Sequence, residues 1–247
     1  MTVPGKTANS GEGFACTVWS AQSAAVFPRL ILRLDFGREP VKAIVFDFGN
    51  VVGFFDRARA ATNLAAFSQR ELDIARTLQL LRHSEYEILY ETARMSSMEI
   101  LALLRQELAL VGEDDALAHA FADMFTPNEA VCSLIPQLAG RYHLALLSNT
   151  NEMHYRLFRQ QFAFVLDRFD HLVASHLVGL RKPDPAIYHL VQEAAGCASG
   201  EVLFIDDLRA NIEAARALGW QTILYDNRVD LTERFAEHGI DLSPRIG

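Results

Sequence analysis

Val41-Lys42-Ala43-Ile44-Val45-Phe46-Asp47-Phe48-Gly49-Asn50-Val51 is the stretch on which the fold turns. Its apolar run, Val41 to Phe46, has the length and content of a buried strand and stops abruptly at Asp47. The pattern recurs twice. His143 to Leu147 runs into Ser148-Asn149-Thr150, and Val202 to Ile205 runs into Asp206-Asp207, with Arg181-Lys182-Pro183 between them. In open parallel sheets, ligands bind at the carboxyl edge of the strands. A carboxylate, a hydroxyl, a cation and two more carboxylates delivered to that edge make a site for phosphoryl chemistry.

Four strings carry a family likeness: Phe46-Asp47-Phe48-Gly49-Asn50-Val51, Ser148-Asn149-Thr150-Asn151, Gly179-Leu180-Arg181-Lys182-Pro183, and Asp206-Asp207 with Asn211. In that order they resemble the haloacid dehalogenase-like hydrolase superfamily, whose members are mostly Mg²⁺-dependent phosphatases. The resemblance spans roughly residues 41 to 227 and is nearest the bacterial sugar-1-phosphate (α-D-glucose-1-phosphate) phosphatase branch. It implies an α/β fold, a Rossmann-like parallel sheet core with a small all-helical cap inserted after the first core strand. The expected partition is residues 41–55 and 127–247 as core and 56–126 as cap, with 1–40 as a disordered or loosely attached extension.

The resemblance also assigns roles. Asp47 is the expected nucleophile, because forming an aspartyl-phosphate divides one hard displacement into two easier ones. Mg²⁺ takes oxygen ligands and usually keeps several waters, so few carboxylates suffice. The implied ligands are Asp47, the Gly49 carbonyl, Asp206 directly, and Asp207 through water or as support. Read without the resemblance, Asp206-Asp207 is also a helix N-cap with a solvated neighbour. Ser148 and Lys182 are expected to hold the phosphoryl oxygens, a hydroxyl and a point charge suited to an anion. Asn149 falls beside that phosphate site but is better suited to bracing a loop, as is Asn211. His154, six residues after Ser148, faces either the substrate or solvent.

Gly49 departs from the common pattern. Most phosphatases of the superfamily place a second Asp two residues after the nucleophile to protonate the leaving oxygen. Such general acid–base help is typically worth about 10² to 10⁴ in rate. The sugar-1-phosphate branch tolerates Gly here, which leaves the proton donor open between Asp56 and a cap residue.

Composition narrows the function classes. A chain of 247 residues, half of them apolar, can bury one sizeable core plus a small accessory domain. A net charge of −8 argues against nucleic acid or anionic membrane as the main partner. No apolar stretch approaches the roughly 18 to 20 residues needed to span a bilayer. Cys16, Cys132 and Cys197 are odd in number and show no Cys-x-x-Cys spacing, which favours a reducing cytoplasm over a disulfide framework or zinc site.

Along the chain, Ser96-Ser97-Met98-Glu99 offers a capping box ahead of Ile100, Leu103, Leu104 and Leu108. Ala116, Phe121 and Phe125 predict a further helix ending near Pro127, and no strand is expected between Asp56 and Phe125. Val131 to Leu138 predicts one helix kinked at Pro136, with Gly140 as its stop. Asn151 and Asp184-Pro185 read as helix starts, and Leu172–Ala174 and Gln221–Tyr225 as strands.

The expected function is a Mg²⁺-dependent phosphomonoesterase acting on a small phosphorylated metabolite such as a sugar 1-phosphate. Two rivals remain: a binding protein on this fold that has lost turnover, and a metal-independent 2-haloacid dehalogenase. Adjacent Asp206 and Asp207 favour the phosphatase, because displacing halide needs no metal carboxylates. Monomer and homodimer stay open.

Overall fold

Alternation along a strand sends successive side chains to opposite faces, so a strand apolar throughout must be covered on both. The computed structural model describes residues 39–82 and 84–243. In it β1 (Ala43–Phe46) points Ile44 and Phe46 to one side, with Leu144 and Leu146 of β4 (His143–Ser148) and Leu203 and Ile205 of β6 (Val202–Asp206). Ala43, Val45, Ala145, Leu147 and Phe204 point to the other. With β5 (His171–Ala174) and β7 (Gln221–Leu224), these strands form a five-stranded parallel sheet ordered β5-β4-β1-β6-β7.

This order positions the site. Strand β1 pairs with β4 on one side and β6 on the other, with Phe46 opposite both Leu146 and Ile205. The next residue on β1 is Asp47, whose N–H donates to the Ile205 carbonyl at 2.9 Å. Asp47 and Asp206 are thereby neighbours at the carboxyl edge.

Between β1 and β4 the chain forms β2 (Gly53–Phe55), then α1 (Arg57–Ala65), α2 (Ile74–Leu81), α3 (Ser84–Glu91), α4 (Ser97–Leu108) and α5 (Asp114–Ala122), then β3 (Phe125–Pro127). Helices α1, α3, α4 and α5 share an apolar cluster that includes Leu64, Tyr90, Ile100, Leu104 and Leu117, with Leu80 of α2 packed at its edge and Met153 joining from beyond β4. The capping box predicted for α4 is present: Ser96 Oγ accepts from Glu99 N–H, and Ser96 N–H donates to Glu99 at 2.8 Å. After β3 come α6 (Glu129–Cys132) and α7 (Ile135–Leu138), then, beyond β4, α8 (Glu152–Gln161) and α9 (Ala163–Leu166). Helices α10 (Ser175–Val178) and α11 (Pro185–Ala195) precede β6, while α12 (Arg209–Ala217) and α13 (Leu231–Glu237) flank β7. Asn151 caps α8 and Asp184 caps α11 with Pro185 in its first turn, as the sequence predicts.

Three expectations need correction. Residues 53–55 and 125–127 pair as a two-stranded antiparallel ribbon where no strand was expected on the Phe125 side. Helix α5 ends at Ala122, and Phe125 instead packs its ring against Phe48 and Phe158. Residues 131–138 form two short helices rather than one kinked helix. Pro136 has no N–H to give the Cys132 carbonyl, so the first helix stops there and Pro136 enters the first turn of the next. The extension expected over 1–40 lies outside the described residues apart from its last two. Among the described residues, no helix is long and apolar enough to cross a membrane.

Candidate active site

The β1 edge turns at once. The N–H groups of Val52 and Gly53 both donate to the Phe48 carbonyl at 2.9 Å, and Asn50 takes φ +55° to close the turn. The buried Phe48 ring stacks on Phe158 at 3.8 Å, which pins the loop from beneath. Asp47 is left facing the sheet edge, 7% exposed.

Lys182 reaches that edge from the loop before α11. Its Nζ donates to Asp47 Oδ1 at 2.6 Å and to Asp206 Oδ2 at 2.7 Å, and all three side chains are buried. Asn149 fixes the Lys182 backbone reciprocally: its Nδ2 donates to the Lys182 carbonyl at 2.9 Å and its Oδ1 accepts from the Lys182 N–H at 2.8 Å. Asn211 Nδ2 donates to both oxygens of Asp206 at 3.0 Å, and the Leu208 N–H donates to Oδ1 at 2.7 Å. Asp207, half-buried, accepts from Asn50 Nδ2 at 2.9 Å.

Burial pushes the Asp47 carboxyl up to about 7, Lys182 opposes that, and Asp206 adds to it. Burial alone would lower Lys182, but the two carboxylates outweigh it and its pKa ends above the ordinary value. Asp207 is also raised, by burial first. One ammonium therefore faces three carboxylates. Oxygens of Asp47, Asp206 and Asp207 lie within 4.8 Å of one another. An all-oxygen set with surplus negative charge fits a hard divalent cation such as Mg²⁺ and gives a soft metal no ligand it prefers.

The other predicted residues separate. Ser148, buried at the end of β4, has no side-chain partner among the described residues, which leaves its hydroxyl available. Asn149 lines the adjoining cavity, but its amide is spent on Lys182. His154 is not solvated: its ring stacks on Phe121 at 4.7 Å, its Nδ1 meets Asn151 Nδ2 at 2.9 Å, and its Nε2 is closed off from solvent. Burial first, then Arg57 beside it, hold it down to about 3, so it is a neutral imidazole. Asp207 does not cap α12, whose N-cap is Leu208. Asp56 is exposed and caps α1 through the Ala58 N–H at 2.8 Å.

Beside the carboxylates, a cavity of about 70 Å³ is lined by Gly49, Phe55, Glu91, Ser148 and His154 among others. A Cβ on Gly49 would meet the Phe55 ring at 3.2 Å, so Phe55 stands where a side chain at position 49 would begin. Sequence reasoning missed Glu91 and Arg181. Arg181 Nε donates to Glu91 at 3.0 Å, and burial raises Glu91 to about 7 against the pull of Arg181. It also missed Ser175, whose hydroxyl accepts from the Thr150 N–H and donates to the Thr150 carbonyl, both at 2.9 Å, steadying the loop after Ser148. Arg181 sits beside Lys182 in a string already singled out, whereas Glu91 is one acidic residue among several on a helix and carries no local signal.

The family described as haloacid dehalogenase-like hydrolase matches residues 41–219. D-ribitol-5-phosphate phosphatase of Bacteroides thetaiotaomicron is 30% identical over 204 residues, 77% of this chain and 94% of that one. Sesquiterpene phosphatase astK of Aspergillus oryzae is 27% identical over 72% of this chain and 86% of its own length. A crystal structure of a haloacid dehalogenase family enzyme from Bacteroides thetaiotaomicron, in complex with magnesium and inorganic phosphate, is similar at a TM-score of 0.65. That likeness covers 79% of this chain and 99% of the other at 23% identity, and it concerns the fold alone.

Proposed function

Because this chain belongs to the haloacid dehalogenase-like hydrolases, we propose that it is a Mg²⁺-dependent phosphomonoesterase working through an aspartyl-phosphate on Asp47. The observation that carries the reading is the buried Asp47–Lys182–Asp206 cluster at the ends of adjacent parallel strands. Two buried carboxylates holding one Lys are costly unless they are used. Asp47 Oδ attacks phosphorus, the ester P–O bond breaks, and the alcohol leaves with a proton. Water then attacks the same phosphorus, releasing phosphate and restoring Asp47.

Lys182 and the Ser148 hydroxyl hold the phosphoryl oxygens as negative charge shifts among them. Asp47, Asp206 and the Gly49 carbonyl would hold Mg²⁺, with Asp207 in support, and the ion would neutralise the repulsion between Asp47 and phosphate. Asn149 and Asn211 orient Lys182 and Asp206 rather than touch the ester. His154, neutral and packed, shapes the cavity wall. Asp56 is committed to a helix start, so we assign the missing proton donor to Glu91, a cap residue that lines the same cavity. We take helices α1–α5 as the cap, since they pack around an apolar cluster distinct from those flanking the sheet, which Met153 of α8 joins.

The substrate is a small phosphorylated metabolite, and the free Cys132 and Cys197 suit a reducing cytoplasm. The two named relatives act on a polyol phosphate and on sesquiterpene phosphates, so a sugar phosphate is one of at least two skeletons to weigh. The test is hydrolysis by the purified protein of a panel of phosphorylated metabolites with Mg²⁺, with Asp47→Asn as control. Phosphate release that vanishes in Asp47→Asn supports the reading. Binding of Mg²⁺ and phosphate without turnover of any ester would leave the binding-protein rival, and chloride release from a 2-haloacid in excess chelator the dehalogenase.

A further inference from the structure

We propose that the alcohol portion of the substrate is apolar: a compact, hydroxyl-free alkyl, prenyl or aryl group seated in a second chamber beyond the phosphate site. The inference rests on the phosphatase reading and specifies what that same site takes. The cavity beside Ser148 shares Arg57, Glu87, Met124, Asn151 and His154 with a further cavity of about 60 Å³. That inner chamber reaches in among helices α1–α5, and Leu80, Leu81, Ile100, Leu103, Leu104 and Phe121 give it an apolar wall.

The polar groups of the inner chamber gather where it meets the outer cavity, at Arg57, Glu87, Asn151 and His154, and only the two tyrosines, Tyr86 and Tyr90, lie beyond. Arg57 pairs with Glu87 at 2.6 Å. The Tyr90 hydroxyl meets Ser97 Oγ at 2.7 Å and accepts from the Met153 N–H at 3.2 Å. Asn151 is divided between capping α8 and His154 Nδ1, Tyr86 is not free either, and His154 Nε2, buried without a partner, sits where the two cavities meet.

Beyond that mouth, hydroxyls on a polyol chain would leave water and face the leucine, isoleucine and phenylalanine wall. Each one left unpaired weakens binding by about tenfold. A methylene in the same place gains about fourfold. A sugar or polyol phosphate fits the outer chamber by its phosphate but is rejected by the inner one.

Pentyl phosphate and D-ribitol 5-phosphate have matched carbon chains and differ in their hydroxyls. With Mg²⁺ and the full chain, kcat/KM should favour pentyl phosphate by at least about tenfold, although pentanol is the poorer leaving group. Leu103→Asn and Leu80→Asn, each at a half-buried wall position, should narrow that ratio while the melting temperature shows the fold intact. Calorimetric titration with pentylphosphonate and the corresponding polyol phosphonate gives the same comparison without turnover. Preference for D-ribitol 5-phosphate, or a ratio that neither Asn variant changes, overturns the apolar chamber and leaves the phosphatase reading standing. Selective, Asn-sensitive binding of pentylphosphonate with no ester hydrolysed supports the chamber and overturns the phosphatase reading instead.

Discussion

Lys182 faces Asp47 at 2.6 Å and Asp206 at 2.7 Å, with Asp207 close behind, so the metal-free site carries excess negative charge in a buried place. Asp47→Asn should abolish phosphate release, because an amide is no nucleophile at phosphorus, and should leave the metal-free melting temperature unchanged or higher. A clear fall in melting temperature would mean that the Asp47–Lys182 attraction exceeds the cost of the buried charge. Position 49 bears on the proton. If Glu91 supplies it, kcat should fall as pH rises through about 7, where burial has placed Glu91 against the opposing pull of Arg181 and Arg57 and with Glu87 raising it further. Glu91→Gln should remove that limb and cost most on esters with basic leaving groups, by roughly 10² or more. Equal losses for alkyl and nitrophenyl esters would take Glu91 out of proton transfer. Gly49→Asp alone should recover little, since its Cβ lands 3.2 Å from Phe55; paired with Phe55→Ala it has room.

Helix α8 shows how one element serves both packing and site. Asn151 caps it, and the same Asn meets His154, whose neutral ring stacks on Phe121 of α5. The His154 pKa is depressed from 6.5 to about 3, so its contribution to stability is present above 6.5 and is lost as pH falls toward 3. The raised carboxyls of Asp47 and Glu91 act the other way over the same range, so the readout is the difference between chains: the melting temperature of His154→Phe relative to wild type should rise as pH falls from 7 to 4. A difference that stays constant over that range would show that His154 does not contribute to acid unfolding. Elements with a long or chemically distinct signature were legible in the sequence: the runs ending at Asp47, Ser148 and Asp206, the Ser96 box, the Asn151 and Asp184 caps. Strands β2 and β3 were not, because three residues hold too little alternation to mark a period. The α6–α7 break was read as a kink, since a proline marks an interruption without saying whether the helix resumes. Asn149 was read beside the phosphate site as a loop brace, and His154 was left between substrate and solvent. What decides each is a contact distant in sequence or fold, the Lys182 backbone for one and the α5 face for the other.

At the scale of the whole molecule, the candidate metal ligands come from segments far apart in sequence, with Lys182 bonded to Asp47 across 135 residues. The insert is tied to the core around them: Glu91 to Arg181, the Tyr90 hydroxyl to the Met153 N–H, and Ser97 to Glu152. A cation bound by Asp47, Asp206 and Asp207 would hold only the folded chain, because the unfolded chain does not bring these carboxylates together. Binding to the native state alone stabilises it by about 2.7 kcal/mol at a ligand concentration one hundred times Kd. The melting temperature of wild type should therefore rise with Mg²⁺ in a saturable way and return to its starting value with EDTA. Asp206→Ala removes a ligand and leaves Asn211 without its acceptor, so it should abolish the Mg²⁺ response and lower the metal-free melting temperature as well. Asp207→Asn touches only the half-buried carboxylate held by Asn50, and should weaken the Mg²⁺ response with little metal-free cost. Phosphate release should follow the same order, lost in Asp206→Ala and shifted to higher Mg²⁺ in Asp207→Asn. A Mg²⁺ shift of wild-type size in Asp206→Ala would move the metal away from this sheet edge, and full activity in excess EDTA would remove it from the reaction.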